Sequence, residues 1–160
     1  HIDWLKDRIA QLDEKIKALS VSTPEWQERK DLLLSVKGIG PFISASLLVL
    51  LPELGHLNRK AIAALVGLAP FSRDSGSFRG RRHIWGGRAT VRSLLYMATL
   101  SAIRSNPPIR AYYQHLLARG KLKKVAIVAC MRKLLICLNA MVKTNQPWCD
   151  EKVTAQFAAN

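Results

Sequence analysis

The sequence predicts a mainly α fold: a helical bundle with a helix-hairpin-helix element and a short β-hairpin or irregular loop insertion, preceded by a helical or coiled-coil arm. Three observations carry this. Apolar residues recur at steps of three and four along most of the 160 residues, the period of a helix with one buried face. Gly, Pro and Asn stand between these runs as stop and start signals. Only residues 71–87 abandon the period, in favour of short alternating pieces such as Phe78–Arg79 and His83–Ile84–Trp85. Hydrophobic residues make up 49% of the chain, enough for one ordinary core and too much for a disordered basic tail.

The elements follow in order. Ile2, Leu5, Ile9, Leu12, Ile16 and Leu19 form an unbroken seam, either a coiled coil or one arm of a helical hairpin. Residues 1–35 are therefore expected as an arm, through which a homo-oligomer, dimer or tetramer, would assemble. Ser22–Thr23–Pro24–Glu25 starts a second helix that carries Trp26, Leu33 and Val36 inward. In Val36–Lys37–Gly38–Ile39–Gly40–Pro41, Gly38 suits a left-handed helix stop and Pro41 the first turn of the next helix. Over about 32–51 this reads equally as a helix-hairpin-helix, with backbone N–H groups and Lys37 aimed at a phosphate, or as a plain helical turn.

Asn58 caps a short helix to Val66. A helix over about Arg88–Arg104 buries Val91, Leu94, Leu95, Ala98 and Ile103, and Asn106–Pro107–Pro108 breaks it. A shorter helix, Ile109–Ala118, turns Tyr112, Tyr113 and Leu116 inward. The last, from about Leu122 to Val142, buries Val125, Val128, Met131, Leu135, Leu138 and Met141; Lys123, Lys124, Arg132, Lys133 and Lys143 lie on the opposite stripe. The body spans 36–148, and 149–160 is expected to fray.

Charge narrows the function. Residues 1–31 hold six Lys/Arg against seven Asp/Glu, but 32–149 hold eighteen against two, Glu53 and Asp74. A single-sign surface of that kind points to a polyanion, DNA or RNA, over a membrane, and no run approaches the ~20 uninterrupted apolar residues of a membrane span. Cys130 and Cys137 lie seven apart on a helix, about 10 Å of rise, too far for a disulfide. They read as small core residues in a reducing cytoplasm. Four scattered histidines and two body carboxylates make no metal site.

Residues 71–92, FSRDSGSFRGRRHIWGGRATVR, concentrate six arginines, four glycines and three serines around Asp74. Arg73, Arg79, Arg81 and Arg82 can fork onto phosphate oxygens. Gly87, before Arg88 and Arg92, opens a helix whose first amides favour an anion. Together with Lys37, Gly38, Gly40, Lys123 and Lys124, these are the candidate nucleic-acid ligands. Ser75, bared by Gly76, is the candidate nucleophile, although nothing in the sequence brings the nearby His83 to it as a base and Asp-Ser-Gly also reads as a tight turn, a reading that the arginine density weakens without removing. Phe78 and Trp85 read as packing residues that pin the loop to the body.

The segments VKGIGPFISASLL, LVGLAPFSRDSGSFRGRRHIWGGRATVRSLLYMA and NPPIRAYYQHLLARGKLKKVAIVACMRKLLICLNAMV resemble, in order, the insertion-sequence-110 type transposases: DEDD enzymes guided by a bridge RNA. The resemblance implies that residues 1–35 are the family's coiled coil and the remainder its C-terminal domain. It places the family's nucleophilic serine on Ser75, which would attack a DNA phosphodiester, form a phosphoserine–DNA link, exchange strands and religate. It further implies a structured guide RNA as partner and Mg²⁺ held by four acids of a RuvC-like nuclease domain. That domain has no counterpart here, so a chain beginning at His1 is expected to bind nucleic acid without cutting it, in a bacterial or archaeal cytoplasm at the nucleoid. The competing reading is a non-catalytic helix-hairpin-helix module; a bare oligomerisation unit is a third.

Overall fold

The computed structural model describes residues 1–21, 24–71 and 83–158. Within them the chain is a helical bundle, as its periodicity predicts. Its helices are α1 (Ile2–Val21), α2 (Pro24–Leu34), α3 (Pro41–Leu50), α4 (Arg59–Val66), α5 (Ala89–Ser105), α6 (Pro107–Ala118), α7 (Lys123–Thr144) and α8 (Asp150–Ala158). Between α4 and α5 lie two short strands, β1 (Pro70–Phe71) and β2 (His83–Ile84), antiparallel with Pro70 opposite Ile84 and Phe71 opposite His83. This ladder closes the base of the insertion; residues 72–82, with Ser75 and four of the arginines, lie outside the described residues.

Helix α7 is the axis of the core. Its buried face, including Ala126, Cys130, Met131, Leu134, Leu135 and Leu138, meets α2, α4, α5 and α6. Full burial of each such leucine contributes about 1.5–3 kcal/mol. By length and composition this 22-residue helix would pass for a membrane span, yet 56% of its apolar window is packed inside the bundle. Burial raises the Cys130 and Cys137 thiols to about 12 each. Asn139 joins the axis to the 55–57 turn: its side chain accepts from Gly55 N (2.9 Å) and donates to Leu57 O (2.8 Å).

The caps explain most boundaries. Asn58 accepts from Lys60 N and Ala61 N and starts α4, and Gly67, with φ +77, ends it. Asn106 does more than break a helix. It is fully buried, accepts from Ile109 N, and lets Pro107 open α6 two residues earlier than the sequence suggested. Gly38 has φ +107, and a Cβ there would stand 2.6 Å from the backbone of Ala102, so the α2–α3 turn lies directly against α5.

Three expectations are corrected. The tail does not fray: over 150–158 it is α8, with Val153 and Phe157, one helical turn apart, both buried, and α8 packs on α6. Asp150 and Glu151 sit in its first turn, where carboxylates suit the helix dipole. Val125 is 51% exposed, because it lies with Val128 and Arg132 on the side of α7 that lines a groove, while Ala126 beside it begins the buried stripe. Trp85 is 81% exposed and pins nothing; Phe78 lies outside the described residues. On α1, Ile2, Leu5, Ile9 and Leu12 remain exposed along the seam, and its main contact is α2.

Candidate nucleic-acid interface

The base of the insertion is built by two arginines and two glycines. Arg88, ahead of α5, forks onto Glu53: Nη1 reaches Oε2 at 2.7 Å and Nη2 reaches Oε1 at 2.5 Å, while Nη1 also donates to Leu50 O at 3.0 Å. Hydrogen bonding from Arg88 holds the Glu53 carboxyl below its ordinary 4.5. Arg92 Nη1 donates to Val66 O (3.1 Å) and Gly86 O (2.5 Å). Gly67 and Gly87 meet backbone to backbone: a Cβ on Gly87 would lie 2.5 Å from Val66 C, and one on Gly67 would run into Gly86 O. The Arg88 amide is also engaged, donating to Leu65 O at 3.0 Å. Arg88, Arg92 and Gly87 therefore fix the start of α5 against the ends of α3 and α4, from which the loop springs.

Glu53→Gln should accordingly lower the melting temperature at neutral pH. A carboxyl whose folded pKa is depressed stabilises above its unfolded value, and that contribution disappears as pH falls through the folded pKa. The gap between the two proteins should thus close below about pH 4, as thermal unfolding across pH would record.

Beside the ladder opens a groove of about 920 Å³. Among the described residues six cations line it: Arg59 and Lys60 from the start of α4, Lys121 before α7, and Lys124, Arg132 and Lys133 on α7. No carboxylate of the described residues does. Apolar and aromatic side chains share the lining: Leu68, Ile84, Tyr112, Val125, Val128 and Ile136, with Pro70 of β1. Both ends of the described insertion, Pro70 and Ile84, thus belong to the wall. Lys133 is half-buried, with Nζ 5.5 Å over the Tyr112 ring and 5.0 Å over Phe157. Desolvation lowers its pKa, and the neighbouring Arg132 and Arg59 charges act in the same direction. Positive charge is crowded here with apolar surface beneath it, and an anion entering would relieve the crowding.

The other expected ligands are distributed. Lys37 is exposed in the α2–α3 turn, beside a smaller hollow of about 410 Å³ shared with Ser35, Trp148, Asp150 and Glu151. Trp148 N donates to Ser35 Oγ (3.0 Å), and Trp148 Nε1 donates to Asp150 Oδ1 (2.6 Å), so the C-terminal segment brings two acids next to Lys37. Gly40 caps α3 with open space above it. Lys123 opens α7 outside the groove, whereas Lys124 lines it. Arg73, Ser75, Arg79, Arg81 and Arg82 lie outside the described residues. Arg59, Lys60, Lys121, Arg132 and Lys133 were not singled out as ligands from sequence. The signal was the stripe Lys121, Lys124, Val125, Val128 and Arg132, which recurs at helical spacing and mixes cations with apolar residues on one face.

A family model described as "Transposase IS116/IS110/IS902 family" matches residues 30–114, more than half of the chain. The chain belongs to this family. Among its relatives is a "Pilin gene-inverting protein" of Moraxella lacunata, 34% identical over 151 residues, covering 92% of this chain and 47% of that protein. Its counterpart in Moraxella bovis matches to the same extent. An "Insertion element IS116 uncharacterized 44.8 kDa protein" of Streptomyces clavuligerus is 29% identical over 144 residues, covering 87% of this chain and 36% of that one. This transposase-family chain spans about half the length of the Moraxella relatives. The matched residues 30–114 take in Arg59, Lys60 and the whole insertion; the α7 cations of the groove lie beyond them.

Proposed function

We propose that this chain is the serine-bearing, nucleic-acid-binding part of a DNA transposase or recombinase. The observation that carries the reading is the groove lined, among the described residues, by six cations and no acid, whose wall includes Pro70 and Ile84 on either side of the Ser75 loop. Ser75 Oγ attacks a DNA phosphodiester: a bond forms from oxygen to phosphorus as the bond to one sugar oxygen breaks, and the proton leaving the serine is balanced by one gained on that sugar oxygen. Arg73, Arg79, Arg81 and Arg82, carried on the same loop, neutralise the phosphate, and exposed Trp85 is free to stack on a base. A guide RNA and a homo-oligomer through residues 1–35 complete the proposal; the exposed Ile2–Leu12 seam supports the second. The cytoplasm at the nucleoid is where such a protein would meet its DNA.

Among the described residues no group of three or more His, Cys, Asp or Glu side chains forms a metal site. The described residues do not fit Mg²⁺, and this proposal assigns that ion to a RuvC-like domain outside this chain. The rival reading, a non-catalytic helix-hairpin-helix module, draws on the Gly38 turn and the open space above Gly40. The two acids beside Lys37 argue against a phosphate at that turn and in favour of the groove.

Binding of labelled DNA by Arg59→Gln/Arg132→Gln tests the site. At about 0.1 M salt the affinity should fall about tenfold, and the slope of log K against log salt should flatten by roughly 1.4–1.8. An unchanged slope would remove the groove from the interface.

A further inference from the structure

We infer that the groove between α4, α7 and the β1–β2 ladder takes a single-stranded segment of nucleic acid, phosphates on its cationic side chains and unpaired bases on its apolar ones. The inference rests on the nucleic-acid reading above and specifies the form of the ligand at that site. A surface built only to hold a duplex needs cations at the phosphate ridges and polar groups at the base edges. Here the described lining mixes the six cations with Leu68, Ile84, Val125, Val128 and Ile136, and Val125 stands 51% exposed. A duplex keeps its bases stacked inside and would leave these side chains wet. A single strand can turn its bases toward them and remove both apolar surfaces from water.

The volume, about 920 Å³, falls within the range of clefts that enclose ligands and is larger than a row of phosphate contacts requires. Among the described lining side chains only the Tyr112 hydroxyl is a hydrogen-bond acceptor; the remainder are cationic donors or apolar. With donors that phosphates occupy and aliphatic side chains that meet any base alike, the groove should accept DNA and RNA single strands with little preference for sequence. Tyr112 is already covered by Phe157 (ring centroids 5.2 Å apart) and by Lys133, which leaves base contact mainly to aliphatic side chains. Phe157 of α8 thereby holds one wall of the groove in place.

Fluorescence anisotropy on the chain, with oligo(dT), oligo(rU) and a mixed duplex of about 20 residues or base pairs, tests this. Oligo(dT) should bind about tenfold more tightly than the duplex at equal salt, with oligo(rU) within about threefold of oligo(dT). Val125→Asn keeps the charge, alters an exposed side chain, and should weaken oligo(dT) about fivefold with no change in salt slope. Lys121→Gln/Lys124→Gln should instead flatten that slope by about 1.4, which keeps the test decisive should circular dichroism find the asparagine variant misfolded. Duplex binding as tight as single strand, a folded Val125→Asn variant with unaltered affinity, or an unaltered slope in the lysine pair would each overturn the inference. Recombinase function is judged by strand cleavage and this site by affinity, so either can fail while the other stands.

Discussion

Ser75→Ala, in a protein that joins this chain to a RuvC-like nuclease domain, should abolish strand cleavage and the covalent protein–DNA product while leaving DNA affinity within about twofold. Loss of a hydroxyl nucleophile removes the bond-forming atom itself, and the expected fall in rate is on the order of 10⁴-fold or more. Affinity should persist because the cations that attract the backbone line the groove and occupy other positions of the loop sequence. Ser75→Cys refines the test: it keeps a nucleophilic atom but with a different length and pKa, so a slow, pH-dependent residual cleavage is the expected signature. A gel assay with end-labelled DNA, analysed before and after protease treatment, measures both products. Undiminished recombination by Ser75→Ala would withdraw the catalytic assignment and leave the binding module.

Gly67→Ala should be the most damaging single change among the described residues around the insertion. Gly67 ends α4 in the left-handed region at φ +77, where an alanine is strained by about 1–2 kcal/mol. Its new methyl group would also be driven into Gly86 O and to 2.5 Å from Arg92 Nη1. Overpacking of that kind costs about 1–3 kcal/mol more, so a total near 3–4 kcal/mol is expected, a large share of a small domain's stability. Backbone cannot yield as a flexible side chain can, so the relaxed variant should separate α4 from the start of α5. That displaces Arg88 and Arg92, and with them the two ends of the serine loop. The melting temperature should drop by roughly 6–16 °C, and urea unfolding should show the same loss. A variant as stable as the parent would mean that the contact between the two glycines does not hold the insertion base.

Much of the bundle was legible because helical period is a local property. The stripes on α5 and α7, the Asn58 cap and the Gly38 stop each depend on a few neighbouring residues, and the structure reproduces them. Errors came where burial depends on a distant element. Val125 continues the apolar period of α7, but it lies with Val128 and Arg132 on the side that lines the groove, where the core does not cover it. Val153 and Phe157 are too few to announce a helix, yet α6 offers Tyr112 and α7 offers Lys133, and the pair is buried there. Arg88 and Arg92 read as phosphate ligands by composition. Their acceptors, Glu53, Leu50 O, Val66 O and Gly86 O, include groups up to thirty-eight residues away, which no local pattern reveals.

By itself the sequence determined the helical class, the breaks between helices, the one-sign charge of the body and, through its arginine- and glycine-rich insertion, the family to which the chain belongs. These are properties of neighbouring residues or of sums over them. Only the tertiary structure decided which cations converge. Arg59 and Lys60 approach Lys124, Arg132 and Lys133 because α4 packs on α7, across more than sixty residues of intervening chain. Electrostatic fields add in space and not along the chain, so a groove made by two helices and a ladder exists only once the core has brought them together.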